Sequence, residues 1–193
     1  MAGKPSTFFN MILTLGLITF LSSAGVAYVF EVTKKPRAQA EIAKKINAIR
    51  RVVPEFNNNP LEEKYSVQAK DDTLIFYPAK KDGKRVATAV ETSSSQGFGG
   101  EIRLMVGFLP DGDIYDIAVV DHKETPGLGD KMERGKSGFT SQFRGQDPKS
   151  FRLKVTKDGG DVDAITAATI SSRAFCGAVQ MAYGAFVQEE SSL

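Results

Sequence analysis

The chain has 193 residues, 41% of them apolar, and a formal charge of +2, which suits one membrane segment plus one core of ordinary size and argues against a second core. Its basic residues are spread along the chain, without the clustered footprint of a nucleic-acid binder, so no nucleic-acid partner is expected. The single cysteine, Cys176, and single histidine, His122, exclude an intrachain disulfide, an iron–sulfur site built by this chain alone and a multi-histidine metal centre.

After a tail over residues 1–7, residues 8–30 contain no charged side chain and are dominated by Phe, Leu, Ile, Val, Ala and Gly, which matches the roughly 20 residues a helix needs to cross a bilayer. The run is longer than the apolar core of about 7 to 15 residues in a cleaved signal peptide, so an uncleaved single-pass anchor in contact with lipid is expected. Only Lys4 precedes it, whereas Lys34, Lys35, Arg37, Lys44, Lys45, Arg50 and Arg51 follow. The positive-inside rule taken alone puts the following domain in the cytoplasm. Residues 31–60 read as a stalk helix and linker: Thr33 and Pro36 look like a helix start, Ile42, Ile46, Ile49 and Val53 recur at helical spacing, and Pro54 and Asn57-Asn58-Asn59-Pro60 end it.

From Leu74 the period changes within a domain over residues 61–193. Residues 74–77, 85–90, 102–108 and 114–120 read as strands, with turns at Asp82-Gly83 and Asp111-Gly112. A short helix or loop is expected around residues 134–145, a further strand over 151–155, and a closing helix over 169–188 with Phe175, Val179, Tyr183 and Phe186 toward the core. Cys176 on that helix reads as a buried apolar residue. The fold class is α+β, a small antiparallel sheet packed with helices.

Three stretches stand out for chemistry. Ser93-Ser94-Ser95-Gln96-Gly97-Phe98-Gly99-Gly100 has the Gly and hydroxyl density that lets a backbone lie against a flat ring or a phosphate, although such composition is common in plain surface loops. Asp121-His122-Lys123-Glu124-Thr125-Pro126-Gly127-Leu128-Gly129-Asp130 follows a predicted strand, where binding groups concentrate. Asp163-Ala164-Ile165-Thr166-Ala167-Ala168-Thr169-Ile170-Ser171-Ser172 opens the closing helix; Asp163 is expected to cap it, and free N–H groups there suit a phosphate.

The last stretch resembles the flavinylation motif of the FMN-binding domain family, Asp-x-x-(Ser/Thr)-Gly-Ala-Thr, with Asp163, Thr166, Ala168 and Thr169 at the matching positions and Ala167 where the family usually has Gly. The hexad Glu124 to Gly129 resembles the family's Glu-Thr-Pro-Gly-Leu-Gly segment at every position. What this resemblance implies is FMN bound covalently, its phosphate esterified to Thr169 by a flavin transferase. Asp163 and Thr166 would organise the attachment loop, and Glu124, Thr125, Gly127 and Leu128 would form a wall beside the flavin. Phe98 would pack on the ring edge, and His122 is a lesser candidate. Ser171 and Thr166 are the competing acceptors. No metal site and no catalytic side chain of its own is expected.

Length and single anchor are similar to the G subunits of Rnf complexes more than to the longer C subunit of the sodium-pumping NADH:quinone reductase. The resemblance implies a subunit of a redox-driven translocase that moves electrons between ferredoxin and NAD and couples them to Na⁺ or H⁺ transport, with membrane, iron–sulfur and flavin subunits as partners. It also implies an inner-membrane location with the flavin domain on the periplasmic or outer side, against the charge bias around the span. The competing expectations are a non-redox binding module of the same fold and a structural stalk.

Overall fold

A computed structural model of the chain describes residues 8–69 and 72–191. It divides into two compact units, residues 1–43 and 44–193. In the first unit the helix α1 (Phe8–Val52) begins, with a mean hydropathy of 1.9 over its most apolar stretch and none of that stretch buried by protein. Phe8, Phe9, Leu13, Phe20 and Tyr28 all lie more than half exposed. At about 1.5 Å per residue, the uncharged run of α1 is long enough to cross the roughly 30 Å hydrocarbon core of a bilayer. The expected helix start at Thr33 and Pro36 is not there. Helix α1 runs through Pro36 without interruption, and Thr33 donates its hydroxyl backwards to the carbonyl of Val29 at 2.7 Å instead of capping a new helix.

The second unit is built on a five-stranded antiparallel meander in the order β1-β2-β3-β4-β5. The strands are β1 (Tyr65–Ala69), β2 (Asp72–Lys81), β3 (Lys84–Ser94), β4 (Ile102–Phe108) and β5 (Ile114–His122). Asp82 and Gly83, at φ 52° and 79°, make the two-residue turn between β2 and β3, and positive φ at both positions is the signature of the tight hairpin turn the sequence announces. Strand β1 lies outside the strands expected from the sequence, although Tyr65-Ser66-Val67-Gln68-Ala69 alternates apolar and polar residues; its register on β2, from Tyr65 opposite Phe76 to Ala69 opposite Asp72, places it in the sheet.

Both faces of the sheet are covered. On one, Phe76, Val90, Leu104, Val106 and Phe108 meet α2 (Thr169–Glu190) through Phe175, Val179, Ala182 and Phe186. Phe108 and Phe186 stack with ring centroids 4.9 Å apart. On the other, Tyr77, Ala79, Ala87, Ala89, Met105 and Ala118 take the last turns of α1, Ala48, Ile49 and Val52. The small alanines let that helix end come close, and Gly107 is required there, since a Cβ on it would sit 1.5 Å from the carbonyl oxygen of Val52.

The connection from β5 to α2 contains three short 3₁₀ turns, Gly129–Met132, Thr140–Phe143 and Thr156–Asp158. The expected strand over 151–155 is corrected here: the segment keeps the apolar alternation, with Leu153 and Val155 buried and Arg152 and Lys154 exposed, yet it joins no strand of the sheet. Its backbone groups are taken by the loop that follows, Asp161 N–H to Arg152 O at 3.1 Å and Val162 N–H to Lys154 O at 3.0 Å. Alternation reports one buried face and is silent about which backbone pairs with it.

Candidate functional site

Two loops and a helix end converge on a cleft of about 330 Å³, lined by Phe98, Glu124, Thr125, Leu128, Gly129, Ala167, Ala168, Thr169, Ile170 and Ser171. All three sequence stretches singled out for chemistry contribute to it. Of the expected site residues, the structure brings together Phe98, Glu124, Thr125, Leu128, Ala168 and Thr169; Asp163, Thr166, Gly127 and His122 lie outside the lining.

The Glu-Thr-Pro-Gly-Leu-Gly wall is a tight turn. Leu128 N–H donates to Thr125 O at 3.2 Å, Pro126 holds the second position, and Gly127 takes φ 81° at the third, the residue order a type II turn selects. Gly127 therefore shapes the wall without touching the cavity. The turn leaves Leu128 41% exposed, and across the cleft mouth Phe98 is 70% exposed and Ile170 50%. Exposed apolar side chains gathered at the mouth of one cleft mark a ligand surface more than a folding accident.

The floor is polar and closely fitted. Glu124 is 6% exposed, its Oε1 has no hydrogen-bond partner among the described residues, and two glycines make room for its carboxyl. A Cβ on Gly97 would lie 2.8 Å from Oε1, and one on Gly129 would lie 2.5 Å from Oε2. His122 explains itself here: its Nδ1 accepts the N–H of Glu124 at 3.0 Å, and Nε2 faces Glu133 Oε1 at 2.7 Å. An accepting Nδ1 leaves the proton on Nε2, which donates it to Glu133. Hydrogen bonds from Lys136 and from His122 hold the Glu133 carboxyl below the usual range. The histidine thus braces the loop from behind the cleft.

The third wall is the start of α2. Its N-cap is Ala168, at φ −134° and with no side-chain cap, so the expected capping by Asp163 is corrected: the helix begins six residues later, at Thr169. Asp163 is exposed, and its backbone is clamped by the Gln142 side chain, Asp163 N–H to Oε1 at 2.8 Å and Nε2 to Asp163 O at 3.1 Å. Ser172 Oγ performs the second clamp, accepting from Ile165 N–H and donating to Ala168 O, both at 3.0 Å. Between them Ala168 N–H closes a turn on Ile165 O at 3.0 Å, with Ala167 at φ 63°. The third position of such a turn demands positive φ and prefers Gly.

Leaving the cap empty has a chemical result. The N–H groups of Thr169, Ile170 and Ser171 have no protein partner among the described residues, Ser172 N–H being the first one bonded. Three free donors and the positive end of a 22-residue helix are the groups that would attract an anion. Thr169 stands at its first position. Ser171 Oγ, 1% exposed and without a partner among the described residues, lines the same space. The sequence marked Ser171 only as a competing acceptor and missed Gly129, Ile170 and the brace from Ser172. Among these, only Gly129 stood in a recognisable motif.

Residues 97–184 match the FMN-binding domain family, a span that contains both loops and the helix start. Over 167 residues the chain is 40% identical to the G subunit of the ion-translocating oxidoreductase complex of Haemophilus influenzae, covering 83% of this chain and 81% of that one. The corresponding subunit of Shewanella piezotolerans is 34% identical over 191 residues, 94% of this chain and 90% of its own, and that of Vibrio cholerae 33% over 190 residues, 94% and 91%. The chain belongs to the G-subunit family of ion-translocating oxidoreductase complexes. Agreement over nine-tenths of both chains covers the helix α1 as well as the sheet, so membership rests on the whole G-subunit architecture.

The residues present fit an FMN group: three free N–H donors at the helix start would suit its phosphate, Phe98, Leu128 and Ile170 would suit its flat ring, and two buried side-chain oxygens without a partner among the described residues would suit the ring's polar atoms.

Proposed function

We propose that this chain carries FMN as a phosphoester of Thr169 and passes electrons as a membrane-anchored subunit of an ion-translocating oxidoreductase complex, with no turnover of its own. The observation that carries this is the position of Thr169, whose side chain stands in the first turn of an uncapped helix at the edge of an apolar cleft. When bound, the flavin supplies one- and two-electron chemistry that no side chain in the cleft can perform.

The chain's own work is to hold and surround. Thr169 Oγ provides the tether, so the group is retained without high binding affinity. The N–H groups of Thr169, Ile170 and Ser171 face the phosphate, an interaction worth about 0.3–2 kcal/mol at a helix N-terminus. Phe98, Leu128 and Ile170 remove ring surface from water at roughly 25 cal/mol per Å². Modification requires a flavin transferase that reaches the turn, and the exposure of Thr166 and Asp163 supports access from outside.

The relatives are named as subunits of an ion-translocating oxidoreductase complex, which supports a wider role with other subunits as partners and electron flow coupled to movement of an ion; membrane, iron–sulfur and flavin subunits are the partners the family resemblance implies. Helix α1 keeps the flavin domain close to them. We assign the domain to the outer side of the membrane, as the family resemblance implies. Cysteine labelling from outside intact cells decides the side, and protection of an engineered surface cysteine overturns the assignment.

The central test is direct. Full-length protein co-expressed with a flavin transferase is run on a denaturing gel; a fluorescent band, lost in Thr169→Ala, is expected, together with an FMN mass on the Thr169 peptide. An unmodified peptide from matured protein removes the tether, and a domain that holds FMN neither covalently nor reversibly is a binding module for something else.

A further inference from the structure

Among the ten residues lining the cleft, Glu124 is the only ionisable one. Everything about its surroundings serves to keep a carboxyl there. Gly97 and Gly129 leave their Cβ positions empty to accommodate its two oxygens, His122 anchors its backbone N–H, and Gly99 lets the Gly-rich loop close over the Lys123 carbonyl, where a Cβ would lie 1.9 Å away. Yet Oε1 receives no hydrogen bond from any of the described residues. An arrangement that buries a carboxyl, fits glycines around it and withholds a donor is costly to folding, and such exceptions cluster where function requires them.

We propose that the Glu124 carboxylate lowers the reduction potential of the ring held in this cleft, acting as a fixed negative charge in an otherwise uncharged wall. The proposal rests on the flavin reading of the cleft given above. Electrons delivered to the ring add negative charge, and a neighbouring carboxylate whose charge no ion pair or side-chain hydrogen bond among the described residues offsets disfavours the reduced form relative to the oxidised one. The positive end of α2 does not cancel this, because the phosphate on Thr169 occupies those N–H groups. Low local dielectric lengthens the reach of the charge. The consequence is a carrier that releases electrons more readily than free flavin does.

The test is a spectroelectrochemical titration of full-length, flavin-loaded protein in detergent, comparing wild type with Glu124→Gln and Glu124→Asp. Removing the charge in Glu124→Gln is expected to favour the reduced ring by about tenfold, an upward shift of about 30 mV for a two-electron couple, while Glu124→Asp keeps most of the wild-type value. An unchanged potential in loaded Glu124→Gln overturns the proposal. So does an equal shift in both variants, which would trace the effect to packing. Gln fills the same space between Gly97 and Gly129; should it fail to fold or load, Glu124→Met is titrated in its place under the same criteria. Failure of the flavin reading itself is separable, because wild type would then show no fluorescent band on the denaturing gel.

Discussion

Ser172 Oγ accepts the N–H of Ile165 at 3.0 Å and so ties the turn that carries the motif to the first turn of α2. Ser172 is fully buried, and no other acceptor reaches that N–H among the described residues. Ser172→Ala is expected to leave Ile165 N–H unsatisfied, costing about 1–3 kcal/mol in chemical denaturation. It should also cut the yield of flavin on Thr169, because the turn is then free to move. Full yield with lowered stability would show that the transferase tolerates a loose turn.

Ala167 at φ 63° holds a conformation that costs an L-residue about 1–2 kcal/mol. Ala167→Gly relieves it, while the greater freedom of Gly in the unfolded chain takes back about 0.4–1 kcal/mol. The expected outcome is a net gain of about 0.5–1 kcal/mol, read from the denaturant midpoint, with flavin loading retained. A loss of stability would mean that the Ala167 methyl makes packing contacts that outweigh the strain.

Gly129 touches Glu124 on the side away from Gly97. A methyl at this position would meet Glu124 Oε2 at 2.5 Å and its Cβ at 2.9 Å, so the loop or the carboxyl must move. Gly129→Ala is expected to cost about 1–3 kcal/mol, as overpacking does, and to alter the absorption spectrum of the loaded flavin. Gly138→Ala meets nothing within 4 Å and serves as the control.

Acid should weaken the domain through carboxylates paired in its connecting loops and between β4 and β5. Lys136 holds the Asp130 and Glu133 carboxyls below their ordinary values, Arg103 that of Asp121, Arg173 that of Asp158 and Arg152 that of Asp161. A depressed folded-state value contributes stability above the unfolded-state value, here 3.8 to 4.5, which is lost as pH falls through the folded-state one. Melting temperature is therefore expected to be flat from neutral down to about pH 5 in respect of these groups, and to drop below it. Lys136→Met should shallow that drop.

Burial pushes the Cys176 thiol up to about 12, so at a pH of about 8 almost no thiolate exists to react. Alkylation by iodoacetamide is expected to be negligible in the folded protein and complete in denaturant. Rapid labelling of native protein would mean that α2 opens.

Much of the fold was legible because its signals are local. The uncharged run through residues 8–30, the Asp82-Gly83 turn and the helical spacing of Phe175, Val179 and Phe186 each report on neighbours in the chain. Where pairing depends on distant backbone the sequence misled: Tyr65–Ala69 and residues 151–155 both alternate apolar and polar side chains, yet only the first joined the sheet. In the site, the motifs named Thr169, Glu124 and Leu128, but the cap assigned to Asp163 belonged to no side chain.

By itself, then, the sequence determined which stretches supply the lining of the cleft and that an apolar helix precedes them, since composition and motif are properties of short stretches. Only the tertiary structure decided what those residues face: that Ala167 must take positive φ, that the start of α2 is left with bare N–H groups, and that Glu124 is buried between Gly97 and Gly129 with an oxygen to spare. Each of these depends on how separate segments pack or on backbone angles that such packing sets, and free space beside a side chain is written nowhere in the order of residues.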